Sequence, residues 1–100
     1  MTKFAIYVQL QAKPGKEKEV EDFLKGALPL VEAEPGTETW FAMKMGPATF
    51  GIFDTFKDDD DREAHLTGAV AKALMGKAPE LFTTPPEIHR IDILADKLPH

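Results

Sequence analysis

The sequence predicts an α+β fold in βαββαβ order, a four-stranded antiparallel sheet with two helices on one face. Three observations lead there. Apolar residues recur first at every second position and then at helical spacing, and the cycle runs through twice. Turns bearing Pro and Gly separate the segments. At 100 residues, the chain (1–100) has the length of a single domain.

Lys3 to Gln11 alternates, with Phe4, Ile6, Val8 and Leu10 on one side and Ala5, Tyr7 and Gln9 on the other. That is a strand with one strongly apolar face. Lys13-Pro14-Gly15 closes it with turn chemistry. From Lys16 the period becomes helical. Val20, Phe23, Leu24, Ala27 and Val31 form a stripe, and Glu17 and Glu19 suit the positive end of the helix dipole. Pro29 should kink or thin the last turns. Glu34-Pro35-Gly36-Thr37 reads as a tight turn in which Gly36 can supply a positive φ.

Thr37 to Met45 and Thr49 to Lys57 are rich in Thr and aromatics, and read as a hairpin joined by Gly46-Pro47-Ala48. The carboxylate run from Asp58 to Asp61 reads as the cap and dipole partner of a second helix rather than a metal site. Leu66, Ala69, Val70, Ala73 and Leu74 form the buried stripe of that helix, and Gly76 is its expected stop. Ala78 to Glu87 holds three prolines and is expected to be loop or a short turn of helix. Glu87 to Leu94 is the last strand, within which His89 reads as structural. His100 is expected to fray. The order is the ferredoxin-like plan.

Composition narrows the chemistry. The chain is 43% hydrophobic and 29% charged, as ordinary globular proteins are. Its net charge of −5, without a basic cluster, argues against nucleic acid as a partner. No apolar run nears the roughly 20 residues of a membrane span, and no signal peptide opens the chain. No membrane partner is therefore expected, and the cytoplasm is the expected location. Cys, Ser and Asn are absent, which excludes disulfides, thiolate chemistry and the commonest acyl-transfer nucleophile. No His, Asp or Glu spacing matches a metal site.

Two helices can cover only one face of the sheet, yet both faces collect large apolar groups. Trp40 and Ala42 oppose Phe41, Met43 and Met45 on the second strand, and Phe50 and Ile52 oppose Phe53 on the third. A second copy packed face to face would cover the surplus, so a homodimer is expected.

The layout, with Phe53-Asp54-Thr55-Phe56 followed by Glu63-Ala64-His65-Leu66, resembles the antibiotic biosynthesis monooxygenase family of dimeric α+β barrels. Lys13-Pro14-Gly15 and Glu34-Pro35-Gly36-Thr37 are similar to that family as well. The resemblance runs from Phe4 to Asp96. It implies monooxygenation of small aromatic or quinol-type molecules without a cofactor; the family also holds haem-degrading enzymes, an isomerase and members of no known activity. In the family pattern an acidic residue and an aromatic, usually Trp, end the third strand, with a His nine residues later, matching Asp54, Phe56 and His65. Phe56 departs from Trp, and Val8 stands where haem-degrading members place Asn. Together these imply that haem is not degraded.

The residues also carry a reading of their own. Asp54 and Phe56, two apart on a strand, share a face. If helices cover that face, Asp54 sits in an apolar setting and needs a partner or a raised pKa. His65 flanks the helical stripe and can meet it, and such a pair can move a proton to or from a phenol. Alternatively, His65 is a boundary residue, costing about 1 kcal/mol when truncated, and Asp54 pairs with Arg90 or Lys44. Trp40 and Tyr7 are candidates to line a substrate pocket, or else pack as core and interface. Two functions are thus expected: a cofactor-independent monooxygenase of a small aromatic molecule, or a non-catalytic dimeric barrel that binds or senses a small hydrophobic ligand.

Overall fold

The structure, a computed structural model, describes residues 3–99. The expectation for His100 lies outside them. The elements are β1 (Phe4–Gln11), α1 (Glu17–Gly26), α2 (Leu28–Glu32), β2 (Thr37–Lys44), β3 (Thr49–Phe56), α3 (Asp59–Leu66), α4 (Ala69–Leu81) and β4 (Glu87–Asp92). The strands form one antiparallel sheet in the order β2-β3-β1-β4, the ferredoxin-like arrangement.

Alternation along the strands decides the two faces. Ile6, Val8 and Leu10 of β1 lie opposite Asp54, Ile52 and Phe50 of β3, and Trp40, Ala42 and Lys44 extend those rows onto β2. Val20 and Leu24 of α1 and Leu74, Ala78 and Leu81 of α4 pack with this face to make the core. Burying each large apolar side chain contributes about 1.5–3 kcal/mol. The opposite face carries Tyr7, Phe41, Met43, Phe53 and Ile91. Phe41 is 55% exposed there. Tyr7, Met43 and Met45 converge over Gly51, where a Cβ would come within 3.2 Å of each.

Several local expectations are corrected. Each helical connection is split in two rather than continuous. The first breaks just ahead of Pro29, which sits in the opening turn of α2 where its missing N–H costs nothing. The second breaks after Leu66. There the Thr67 hydroxyl donates to the Ala64 carbonyl at 3.2 Å, competing with the helix ladder, and Gly68 caps α4. The stripe from Leu66 to Leu74 therefore spans two helices.

Gly76 does not stop α4, which continues through Pro79 to Leu81. An interior Gly costs about 1 kcal/mol and Pro about 3 kcal/mol. Continuation buries Ala78, Leu81 and the adjoining Phe82, which offsets them. Lys13 Nζ also donates to the Pro79 carbonyl at 2.6 Å. Among the described residues only Gly15 takes a positive φ, 84°. Gly36 does not. Its missing Cβ instead admits the Asp61 side chain, whose carboxyl carbon would lie 2.6 Å from an added Cβ. The Asp run does cap α3, since Asp58 Oδ1 accepts from the Asp61 amide at 2.8 Å. Among the described residues, no helix is long and apolar enough to cross a membrane.

Candidate active site

Three segments meet where α3 crosses the sheet. Arg62 anchors α3. Its guanidinium lies 5.1 Å over the Phe4 ring and donates to Asp59 at 2.6 Å and to the Ile91 carbonyl at 3.3 Å. His65, three residues on, shares that helix face and so is also directed at the sheet. Alternation on β3 places Asp54 beneath it, between Ile6 and Trp40 in adjacent strands. The turn from α2 into β2 brings up Glu34.

The result is an imidazole clamped between two carboxylates. His65 Nε2 lies 2.9 Å from Asp54 Oδ2, and Nδ1 lies 2.5 Å from Glu34 Oε1. The Thr37 hydroxyl donates to the same Glu34 oxygen at 2.8 Å. The Phe56 ring packs against the imidazole, 5.3 Å between centroids. Asp54 is 1% exposed and His65 is 8% exposed. Nε2 and Oδ2 are within hydrogen-bonding distance but imperfectly aligned, so the contact is chiefly one between charges and a small turn of the ring would make it a hydrogen bond. Among the described residues, neither Asp54 oxygen has a well-aligned hydrogen-bond partner.

The electrostatics follow from burial and proximity. Desolvation pushes the Asp54 pKa above the ordinary carboxyl value, and the nearby His65 only partly restrains it. For His65, burial works against the cation, but contact with Asp54 and Glu34 outweighs it and raises the pKa above that of free imidazole. The site thus holds one readily moved proton in a largely apolar setting.

His65 lines two spaces. An inner cavity of about 60 Å³ lies between sheet and helices, bounded by Ile6, Trp40, Ile52, Asp54 and Leu74, with exposed Met75 and Ile88 at its rim. Trp40 Nε1 is buried without a hydrogen-bond partner among the described residues. An outer cleft of about 350 Å³ lies on the far side of the imidazole, lined by Ala33, Glu34, Gly36, Asp61 and Gly68.

Of the residues singled out from sequence, His65, Asp54 and Trp40 meet at the inner cavity, and Phe56 touches the imidazole from within the core. Tyr7 is not brought to this cavity. It lies on the uncovered sheet face, stacked on His89 at 6.1 Å, with its hydroxyl 3.5 Å from Met45 Sδ. Asp54 pairs with neither Arg90 nor Lys44. Arg90 is engaged with Glu63 at 2.9 Å and Lys44 with Glu21 at 3.6 Å. The sequence shows Glu34 only as a turn residue. It lies 31 positions from His65, and its one local trait, a carboxylate ahead of a proline turn, is commonplace. Among the described residues no group of three or more His, Asp or Glu is arranged to hold a metal.

A ferredoxin-like sheet with its helices on one face and a pocket between the two layers defines a class of small α+β proteins. The particular family is clear from sequence. Residues 3–77 match the family model for antibiotic biosynthesis monooxygenase, and the chain belongs to that family. A protein of unknown function from Nitrosomonas europaea is similar in structure, with 54% identity, a TM-score of 0.97, and coverage of 100% of this chain and 97% of that one. Rv0793 from Mycobacterium tuberculosis shares the fold at 14% identity and TM-score 0.82, covering 94% and 97% of the two chains. A second Nitrosomonas europaea protein, named as a candidate antibiotic biosynthesis monooxygenase, matches at 16% identity and TM-score 0.81, covering 92% and 99%. No curated protein sequence matches.

Proposed function

We propose that this chain is a cytoplasmic, cofactor-independent monooxygenase of a small aromatic or quinol-type molecule, acting as one domain paired with a second copy of itself. The observation that carries this reading is the Asp54–His65 pair at an otherwise apolar cavity, with an Asp54 carboxylate that has no directional hydrogen bond. A phenolic hydroxyl entering the cavity would donate to Asp54. Loss of that proton makes the ring electron-rich enough to react with dioxygen, so the protein's task is to take the proton and exclude water. Trp40 would contact the ring beside Asp54, and Phe56 would hold the imidazole in place. Tyr7 belongs to the pairing face in this reading.

The lining of the cavity favours a second reading. Apart from Asp54 and His65 it is largely apolar, from Ile6, Val8, Ile52, Leu66, Val70 and Leu74, which suits a barrel that binds a small hydrophobic ligand without turning it over. At about 60 Å³, below the 300–1,000 Å³ usual for ligand pockets, it must widen for either role. An oxygen-consumption screen over quinols and polyphenols separates the two. Monooxygenation predicts oxygen uptake that His65→Ala lowers by roughly 10²–10⁴-fold. Binding without uptake for every compound would establish the non-catalytic reading.

A further inference from the structure

We propose that Glu34 is a positioning residue for His65, and that Asp54, His65 and Glu34 form a proton path from the inner cavity to the outer cleft. The inference rests on the reading that a proton is released in the inner cavity.

The imidazole is part of the wall between two spaces. Nε2 faces the Asp54 side, Nδ1 faces Glu34, and His65 lines both the inner cavity and the outer cleft. Among the described residues, Asp54 and His65 are the only titratable side chains bounding the inner cavity. A proton taken up there has no other protein group to move to. The outer cleft is more open and carries two carboxylates, Glu34 and Asp61.

Glu34 is held in place on both sides. Its Oε1 receives the Thr37 hydroxyl as well as facing Nδ1. Its Oε2 lies so close to Gly68 that an added Cβ would come within 3.3 Å of it, and it is buried without a hydrogen-bond partner among the described residues. The helix break at Gly68 thus leaves room for this carboxylate.

The step balances. The starting state has the shared proton on Asp54 Oδ2, Nδ1 protonated and Glu34 ionised. A hydroxyl in the cavity gives its proton to Asp54 Oδ1. The Oδ2 proton passes to Nε2, and the Nδ1 proton passes to Glu34 Oε1. Glu34 then releases one proton to water in the outer cleft, and the substrate keeps the electron pair as its oxyanion.

The charged groups around His65 are few. Glu34 faces it from the α2–β2 turn and Asp54 from β3. On α3 itself, Asp61 shares the cleft, and Arg62 is turned to Asp59 and the Ile91 carbonyl. From β4, Arg90 is bound by Glu63. The α4 residues beside the site, Ala69 and Val70, carry no charge.

The test reads solvent exchange of the His65 ring protons by nitrogen-15 NMR on the full chain with no substrate added. Its outcome is therefore independent of whether the protein is an oxygenase. Glu34→Gln keeps an acceptor near Nδ1 but takes no proton, so exchange is expected to slow by roughly 10²-fold, the low end of what a positioned proton-transfer group contributes. Ala69→Leu, which fills the outer cleft without touching the triad's chemistry, is expected to slow it likewise. Ile88→Trp, which narrows the inner rim, should leave exchange as it is. Wild-type exchange in both Glu34→Gln and Ala69→Leu, or slowing by Ile88→Trp alone, would overturn the path.

Discussion

Removing the His65 imidazole should destabilise the protein far more at neutral pH than in mild acid, because of what it leaves behind. Asp54 is 1% exposed, and among the described residues the cation that pairs with it is His65. Breaking a buried ion pair by deleting one partner costs about 3–5 kcal/mol. The orphaned carboxyl can avoid that by taking a proton. From a reference pKa of ~3.9, neutralising it at pH 7 costs about 4 kcal/mol, and at pH 5 about 1.5 kcal/mol. The cost of His65→Ala should thus be about 4 kcal/mol at pH 7, not the roughly 1 kcal/mol of a boundary residue. Going to pH 5 also stabilises the wild type by nearly 1 kcal/mol as its unfolded-state imidazole protonates, so the cost should shrink by about 2 kcal/mol. The measurement is urea unfolding followed by the single tryptophan, Trp40, at both pH values, in wild-type and Asp54→Asn backgrounds. In Asp54→Asn the fully buried charge is gone and the remaining carboxylate, Glu34, keeps the Thr37 hydroxyl, so His65→Ala should cost clearly less than in the wild-type background, nearer the roughly 1 kcal/mol of a boundary residue. Equal costs in the two backgrounds would refute the argument.

Two further outcomes follow from the same geometry. Because the folded-state pKa of His65 is raised, its stabilising contribution is fully present below the unfolded value of ~6.5 and is lost as pH rises through the folded one. Wild-type stability should therefore decline on the alkaline side of neutrality, and His65→Gln should flatten that slope in a pH series of unfolding curves. Pairing through the uncovered face predicts a light-scattering mass twice the 11.1 kDa of one chain. Phe41→Glu, placing a charge on a side chain 55% exposed in the isolated fold, should halve it; a wild-type monomer at micromolar concentration would exclude that interface.

Element types were legible in the sequence because each rests on a short-range period. Phe4, Ile6, Val8 and Leu10 alternate, so β1 and its buried face follow from side-chain geometry alone. Val20 and Leu24 are one helical turn apart, so α1 does too. Helix ends were less legible. Gly76 and Pro79 oppose a helix locally, and α4 crosses them because the core rewards burying Ala78 and Leu81, a gain that depends on where the sheet lies.

The site divides in the same way. Sequence by itself determined that Asp54 shares a strand face with Phe56 and that His65 flanks a helix stripe, since both are matters of spacing within one element. Only the tertiary structure decided that His65 meets Asp54, that Arg90 and Lys44 are engaged elsewhere, that Tyr7 stands on the opposite face, and that Glu34 completes the clamp. The physical reason is that a carboxylate in a turn and an imidazole 31 positions away share no period. They meet because two broken helices settle on one sheet, where both carboxylates then raise the proton affinity of the imidazole.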